Sequence, residues 1–169
     1  MTEKTRKTGQ KPADTITFDR IDQKILDILQ RNSDTVVAEI SKSVGLSVTP
    51  CWRRIKRMEE GGLIKKRVAL VDQSRANVPM TVFIGVTTAR HEISWLKTFC
   101  DLIDEIPEVV EAYRLSGTVD YILKVVVPDM NAYDKVYKTM IEKLEFSQVN
   151  SMISMEELKF TTAIPTKYL

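Results

Sequence analysis

The chain has 169 residues, of which 43% are hydrophobic and 28% are charged, and its formal net charge is +2. This composition is close to that of ordinary globular proteins and excludes a chain that is disordered throughout. A transmembrane helix needs about 20 consecutive apolar residues, and the longest apolar runs here are only a few residues long. The polar first 17 residues contain no signal-peptide core, so no secretory signal is expected.

The residues that usually carry metal or catalytic chemistry are sparse. Cys51 and Cys100 are isolated and lack CxxC spacing, which is typical of a reducing compartment, so we predict a cytoplasmic protein. The single histidine, His91, has no apparent triad partners, and no Gly-rich phosphate loop occurs. We therefore expect no catalytic residue, no metal site and no cofactor, and the protein is not expected to be an enzyme.

Charge divides the chain into two parts. Residues 1–75 contain 16 Lys and Arg against 10 Asp and Glu, a net of +6, whereas residues 76–169 contain 9 against 13, a net of −4. A basic part suits nucleic acid or an anionic membrane surface. We predict a flexible basic tail over 1–17, a first domain over 18–71, a linker over 72–79 and a second domain over 80–169. The role of the tail does not follow from the sequence, although four of its residues could add non-specific affinity for a nucleic acid: Lys4, Arg6, Lys7 and Lys11.

Helical periodicity in the first domain predicts three helices. Asp19 is placed to cap the first helix, which ends near Arg31. The second ends at Gly45, a residue suited to the left-handed position after a helix. Ser47 is the expected cap of the third helix, and Leu63–Val71 is expected to form an extended pair or wing. A short helix, a tight glycine turn and a capped helix form the helix-turn-helix pattern.

The second helix of such a pair enters the DNA major groove with its first residues leading. If Val48, Trp52 and Ile55 face inward, the outward face of this helix is basic. Met58 is also assigned to the core, and Cys51 is expected to be a small buried thiol. Arginine can form paired hydrogen bonds with guanine or with phosphate, and hydroxyl groups can donate hydrogen bonds to phosphate oxygens. A solvated basic helix face is the alternative; the glycine turn, the cap and the placement of charge on one face favour double-stranded DNA. The candidate DNA-binding residues are Ser47, Thr49, Pro50, Arg53, Arg54 and Arg57.

Strand and helix patterns alternate in the second domain. The pattern predicts strands over Met80–Thr88, Val109–Leu115, Val119–Val127 and Gln148–Leu158, and helices over Glu92–Leu102 and Asn131–Leu144. The order βαββαβ is that of a ferredoxin-like α+β domain, with helices on one face of an antiparallel sheet. Its uncovered face predicts a homodimer formed through the sheets, which would also space two recognition helices on DNA.

Three segments together resemble the Lrp/AsnC family of transcription regulators. They are FDRIDQKILDILQ at 18–30, VGLSVTPCWRRIKRMEEGGLI at 44–64, and LSGTVDYILKV at 115–125 followed by VPDMNAY at 127–133. The resemblance covers about residues 18–165. It implies an N-terminal winged helix-turn-helix, a C-terminal βαββαβ effector domain, and dimers that assemble into octamers or tetramers.

The resemblance also implies a small amino acid effector, such as leucine or methionine, bound between effector domains. The carboxylate of Asp120 could take the ammonium group, and backbone N–H groups around Gly117 could hold the carboxylate. From the residues alone, an ordinary hairpin turn with an aspartate cap explains the same pattern. The candidate effector contacts are Ser116, Gly117, Thr118, Asp120, Tyr121 and, from a neighbouring subunit's last strand, Ser151.

These observations predict a sequence-specific DNA-binding transcriptional regulator whose assembly or DNA affinity responds to the bound amino acid. Two alternatives remain open. One is an architectural DNA-binding protein with weak sequence specificity, and the other is an amino-acid sensor that does not bind DNA. The identity of the effector and the target promoters do not follow from the sequence.

Overall fold

The computed structural model describes residues 17–90 and 92–169, so the predicted basic tail (save residue 17) and His91 lie outside the described residues. Within these ranges the chain forms five α-helices, four strands and one short 3-10 helix. The helices are α1 (Arg20–Arg31), α2 (Val37–Val44), α3 (Val48–Glu60), α4 (Ile93–Asp104) and α5 (Met130–Lys143), and the 3-10 helix is Thr166–Tyr168. The strands are β1 (Met80–Thr87), β2 (Val109–Arg114), β3 (Tyr121–Val127) and β4 (Gln148–Ile153).

The chain divides into two compact units. In the described residues, the first unit consists of residues 17–69 together with Phe160–Leu169, and the second unit is Leu70–Lys159. The first unit contains α1, α2 and α3, and the second contains the sheet with α4 and α5. The predicted class, a helix-turn-helix followed by a βαββαβ domain, is confirmed.

The three helices of the first unit pack around a small apolar core. Ile25 and Leu26 from α1, Ile40 from α2, and Ile55 and Met58 from α3 are buried in it. An aspartate capping box starts α1, and Gly45 ends α2 at φ 73° in the left-handed region, as the sequence predicted. The turn at Gly45 therefore fixes the direction in which α3 leaves α2.

The second unit is a four-stranded antiparallel sheet with strand order β2-β3-β1-β4. Alternate residues of β1 and β3, such as Ile84 and Leu123, are fully buried against α4 and α5. The opposite face carries partly buried side chains, among them Phe83, Ile122 and Val126. One face of the sheet is therefore covered by helices within the chain, and the other is not.

The expected wing strands are not formed. Residues 65–72 have neither helix nor strand, and Val68, Leu70 and Val71 are each more than half exposed. A strand is stable only when a partner satisfies its backbone groups, and within the described residues this segment has no partner strand. The last strand is also shorter than predicted, because β4 ends at Ile153 instead of Leu158.

The segment Phe160–Leu169 belongs to the first unit, which differs from its sequence-based assignment to the second domain. Hydrogen bonds with α1 hold it there. The side-chain amide of Gln30 donates to the Ile164 carbonyl at 3.2 Å and accepts from the Ile164 N–H at 2.8 Å. The Thr166 hydroxyl donates to Asp27 Oδ1 at 2.8 Å. The second unit is therefore an insertion between two parts of the first. No described helix is long and apolar enough to cross a membrane.

Candidate DNA interface and effector site

The start of α3 presents polar groups to solvent. Ser47 is the N-cap residue, but its hydroxyl makes no capping hydrogen bond, so it remains available to another acceptor or donor. Thr49, Pro50 and Arg53 are exposed, and Arg53 has no ion-pair partner in residues 17–90 and 92–169. These four predicted DNA-binding residues lie on the accessible surface of the helix that follows the Gly45 turn.

The helical phase of α3 differs from the prediction. The buried residues are Cys51, Ile55 and Met58, whereas Val48 is 50% exposed and Trp52 is 49% exposed. The inward orientation predicted for Val48 and Trp52 was therefore wrong, while the buried thiol and Met58 are confirmed. Cysteine is among the residue types most often buried, and this tendency was the available signal for the correct phase. Burial raises the pKa of the Cys51 thiol.

A buried carboxylate at the start of α1 binds two arginines of α3. Asp22 is fully buried; its Oδ1 accepts from Arg54 at 2.9 Å and its Oδ2 accepts from Arg57 at 2.7 Å. Arg54 also donates to Asp19 Oδ2 at 2.7 Å. The Arg57 guanidinium lies 5.9 Å from the centre of the Phe18 ring. These contacts fasten α3 to the N-terminus of α1.

This cluster changes the interpretation of two predicted DNA contacts. Arg54 has only 27% of its side chain exposed and holds two carboxylates, so its main role is structural. Hydrogen bonds to Asp19 and then to Asp22 raise its pKa. Arg57 is 44% exposed and retains a surface that a phosphate could reach. The sequence showed the charges but not this pairing, because the partners are 32 and 35 residues apart.

Acid should weaken the first unit. The Asp22 backbone N–H, followed by the Arg54 side chain, holds the pKa of Asp19 below its ordinary value. Because the pKa is lower in the folded state than in the unfolded state, this contribution is present above about pH 4 and is lost as pH falls through the folded-state pKa. We expect the urea midpoint of the first unit to fall between pH 5 and pH 3, and to fall less in Asp19→Asn. Asp104→Asn, in the second unit, is the control; equal slopes in all three proteins would contradict the prediction.

The remaining cations of α3 and of the segment after it, Arg53 apart, fall into two groups. Glu59 pairs with Lys56 at 2.8 Å and with Arg67 at 3.0 Å, and the Lys56 hydrogen bond is the main cause that lowers the Glu59 pKa. Lys65 and Lys66 are exposed and make no ion pair with any described residue. In α3 and the segment after it, the cations without an ion-pair partner among the described residues are therefore Arg53, Lys65 and Lys66.

The turn between β2 and β3 contains most of the predicted effector residues. Ser116, Gly117 and Thr118 are exposed, and Gly117 has φ 135°, a conformation that disfavours any side chain. Asp120 Oδ2 accepts a 2.8 Å hydrogen bond from the Thr88 N–H at the end of β1. Among the described residues, the N–H groups of 116–119 and Asp120 Oδ1 have no hydrogen-bond partner. The turn thus combines free donors with one free carboxylate oxygen.

Two predicted effector residues lie elsewhere. Tyr121 is 7% exposed, and its ring packs against Phe99 at 4.8 Å between centroids, so it belongs to the core and is removed from the candidate effector contacts. Ser151 lies on β4 and hydrogen-bonds the Tyr133 hydroxyl. Strand β1 separates β4 from β3, so one chain does not bring Ser151 to the turn. The alternation of β3 could have revealed the burial of Tyr121, since it shares a face with Leu123.

Comparison with known families matches both parts of this architecture. Residues 18–65 match the family described as winged helix-turn-helix DNA-binding. Residues 81–164 match the family described as Lrp/AsnC ligand binding domain. The two matches follow the same order as the helix-turn-helix and the βαββαβ sheet.

Individual relatives cover nearly the whole chain. It is 42% identical to the glutamate uptake regulatory protein of Zymomonas mobilis, over 88% of this chain and 90% of that protein. It is 36% identical to the DNA-binding transcriptional activator DecR of Escherichia coli, over 88% of this chain and 98% of that protein.

Solved structures agree with the sequence comparison. An AsnC family transcriptional regulator from Agrobacterium tumefaciens has a TM-score of 0.87 and 55% identity, over 90% of this chain and 99% of that chain. A transcriptional regulator from Neisseria meningitidis, in complex with L-Met, has a TM-score of 0.85 and 32% identity over the same shares. The chain therefore belongs to the Lrp/AsnC family of transcriptional regulators, with a helix-turn-helix DNA-binding domain and a ligand-binding domain.

Proposed function

We propose that this regulator binds double-stranded DNA through the start of α3 and senses a small amino acid at the turn between β2 and β3. The DNA contacts are assigned to Ser47, Thr49, Pro50 and Arg53, with Arg57 reaching phosphate. Support comes from the exposure of these side chains on the second helix of a helix-turn-helix. Arg54 is assigned to holding α3 on α1. The protein acts by binding and not by catalysis, without a cofactor.

The unsatisfied polar groups of residues 116–120 carry the effector proposal. An amino acid presents an ammonium and a carboxylate group. Asp120 Oδ1 has no partner in the described chain and suits the ammonium, and the free N–H groups of residues 116–119 suit the carboxylate. The space beside Gly117 is open, since a Cβ built there would meet nothing within 4 Å. Leucine, methionine or another small amino acid fits this arrangement.

A second subunit would complete this site. We propose a homodimer formed through the uncovered sheet face, and assembly of dimers into an octamer or tetramer. Phe83, Ile122 and Val126 are only partly buried on that face, which supports the dimer. Ser151 is then contributed by a neighbouring subunit, because β1 separates it from the turn within one chain. Sedimentation at several protein concentrations measures the assembly state.

Effector binding between subunits would change assembly or the spacing of the DNA-binding helices. The resulting coupling between effector and DNA is expected to be on the order of 1–3 kcal/mol. Such a regulator would work in the cytoplasm, where its DNA target lies, and not at a membrane.

The test combines amino acid binding with DNA binding. Asp120→Asn keeps the shape of the side chain and an acceptor for the Thr88 N–H, but removes the charge that would hold an ammonium group. We expect calorimetry with each of the common amino acids to identify a ligand of the wild type that Asp120→Asn binds at least about 10-fold more weakly. Asp104→Asn, an exposed change on α4, should bind as the wild type does.

Fluorescence anisotropy of labelled upstream DNA, with and without that ligand, then separates the alternatives. A ligand-dependent shift in DNA affinity, lost in Asp120→Asn, supports the proposal. Equal affinity for upstream and random DNA would instead indicate an architectural protein. Ligand binding without any DNA binding at low salt would leave a sensor, and DNA binding that no amino acid changes would refute the effector site.

A further inference from the structure

Trp52 is a large apolar side chain with no apparent structural role. It lies on α3, is 49% exposed, and makes no ring contact with any described aromatic or cationic side chain. The core of the first unit is complete without it, because Cys51, Ile55 and Met58 supply the inner face of the helix. Val48, four residues earlier on the same helix, is also 50% exposed, so this part of α3 carries apolar surface that a partner could cover.

The surroundings of Trp52 identify the chemistry of that partner. Trp52 lines an open groove of about 520 Å³ together with Pro50, Arg53, Arg54, Lys56, Arg57 and Glu60. The groove carries four cations, of which Arg53 has no carboxylate partner in the described residues, and this favours an anionic partner over a basic protein. Arg54 is held by Asp19 and Asp22, Arg57 by Asp22, and Lys56 by Glu59. Trp52 and its neighbour Arg53 are therefore the large side chains of this groove that are free to engage a partner.

The position of Trp52 along α3 suits contact with base edges. It is the fifth residue of the helix, and a helical side chain leans toward the N-terminus, so its ring covers the first turn of α3. The first turns of the second helix of a helix-turn-helix enter the major groove. In that groove the C5 methyl group of thymine is the apolar feature of an otherwise polar set of base edges.

We propose that Trp52 is a specificity-determining residue that contacts a thymine methyl group, while Arg53 beside it contacts phosphate. This inference rests on the proposed DNA binding. Under this inference, the apolar contact of Trp52 determines the sequence preference. Arg53 supplies the charged contribution to DNA affinity, because the hydroxyl groups of Ser47 and Thr49 carry no charge.

The test uses DNA that differs from the preferred site by single methyl groups. The full chain is first used to select a preferred duplex from a random library, and each thymine of that duplex is then replaced by uracil, which lacks only the methyl group. At one position per half-site, we expect the replacement to weaken wild-type binding by about 3- to 10-fold. Trp52→Ala should bind the thymine and uracil duplexes equally, because the methyl group has lost its partner.

Arg53→Ala is the matched comparison. It should weaken binding to selected and random DNA alike and reduce the salt dependence by about one phosphate contact, whereas Trp52→Ala should leave random-DNA affinity and salt dependence unchanged. Acrylamide quenching supplies a measurement that needs no folded variant. Of the two tryptophans Trp95 is buried, so DNA should reduce the quenching of the exposed Trp52.

Three results would overturn the inference. The first is an equal loss of selected and random DNA binding in Trp52→Ala, and the second is a uracil effect that persists in that variant. The third is quenching that depends on protein concentration but not on DNA, which would indicate that a second copy of the chain covers Trp52. If the wild type bound no DNA at all, the proposed function would fail together with this inference; DNA binding with any of these three results refutes the inference alone.

Discussion

Replacement of Asp22 by alanine should lower the free energy of unfolding of the first unit by about 2–3 kcal/mol. The carboxylate is fully buried and accepts hydrogen bonds from Arg54, Arg57 and the Asp19 backbone N–H. Its removal leaves these donors without their shared acceptor and opens the capping box of α1. The loss stays below that of a fully buried pair, because both arginine side chains are partly exposed and can turn to water.

Urea denaturation followed by hydrogen exchange of peptides from residues 17–69 measures this effect within the first unit. Asp34→Ala is the matched control, since Asp34 is exposed and its carboxylate makes no hydrogen bond with a described residue. The control should change stability by less than about 0.5 kcal/mol. If Asp22→Ala behaved like the control, the arginine–aspartate cluster would not stabilise the fold.

Replacement of Phe99 by alanine should destabilise the second unit by about 3–5 kcal/mol. Phe99 is 1% exposed in α4, and its ring centroid lies 5.1 Å from that of Trp95 and 4.8 Å from that of Tyr121. Truncation would leave a cavity between α4 and the sheet, and the rigid rings of Trp95 and Tyr121 would fill this cavity poorly. Amino acid binding should weaken with it, because Tyr121 directly follows Asp120 at the start of β3.

Ile93→Ala tests whether the Phe99 effect arises from burial. Ile93 begins the same helix but is 88% exposed, so its truncation should change stability by less than about 0.5 kcal/mol. Hydrogen exchange of peptides from residues 80–153 reports on this unit. Comparable destabilisation by both substitutions would contradict the assignment of the Phe99 effect to burial, because alanine is at least as good a helix former as either residue.

Local signals explain how much of the fold was predictable. Gly45 and Ser47 marked the end of α2 and the start of α3, and Asp19 marked the start of α1. Each signal depends on residues within one turn of the chain, where sequence spacing and spatial distance agree. The alternating burial of β3 between Tyr121 and Val127 followed for the same reason.

Long-range choices were less accessible. The charges of Asp22 and Arg54 were visible in the sequence, but a carboxylate can pair with any cation that the fold brings near, and only the packing of α1 on α3 selects one. The orientation of Trp52 depended on whether the indole or the neighbouring Cys51 thiol occupied the space between helices. The core of the first unit is small and has room for the thiol. The size of this core does not follow from the amino-acid composition.

The candidate sites were predictable to different degrees. Four of the six proposed DNA contacts lie free at the start of α3, because a single helix positions them. The effector residues depend on several strands, and the turn at Gly117 is separated from Ser151 by β1. A site that is proposed to be shared between subunits has no signature in the pattern of one chain, so its residues were predicted from the family resemblance and not from local spacing.

The hydrogen bonds between α1 and the segment Phe160–Leu169 also affect the order of folding during synthesis. They join residues that are 134 to 146 positions apart, with the whole second unit encoded between them. At roughly 5–20 residues per second, the ribosome makes this last segment several seconds after α3. All four strands are therefore synthesised before the segment that completes the DNA-binding unit, although α1, α2 and α3 are synthesised first.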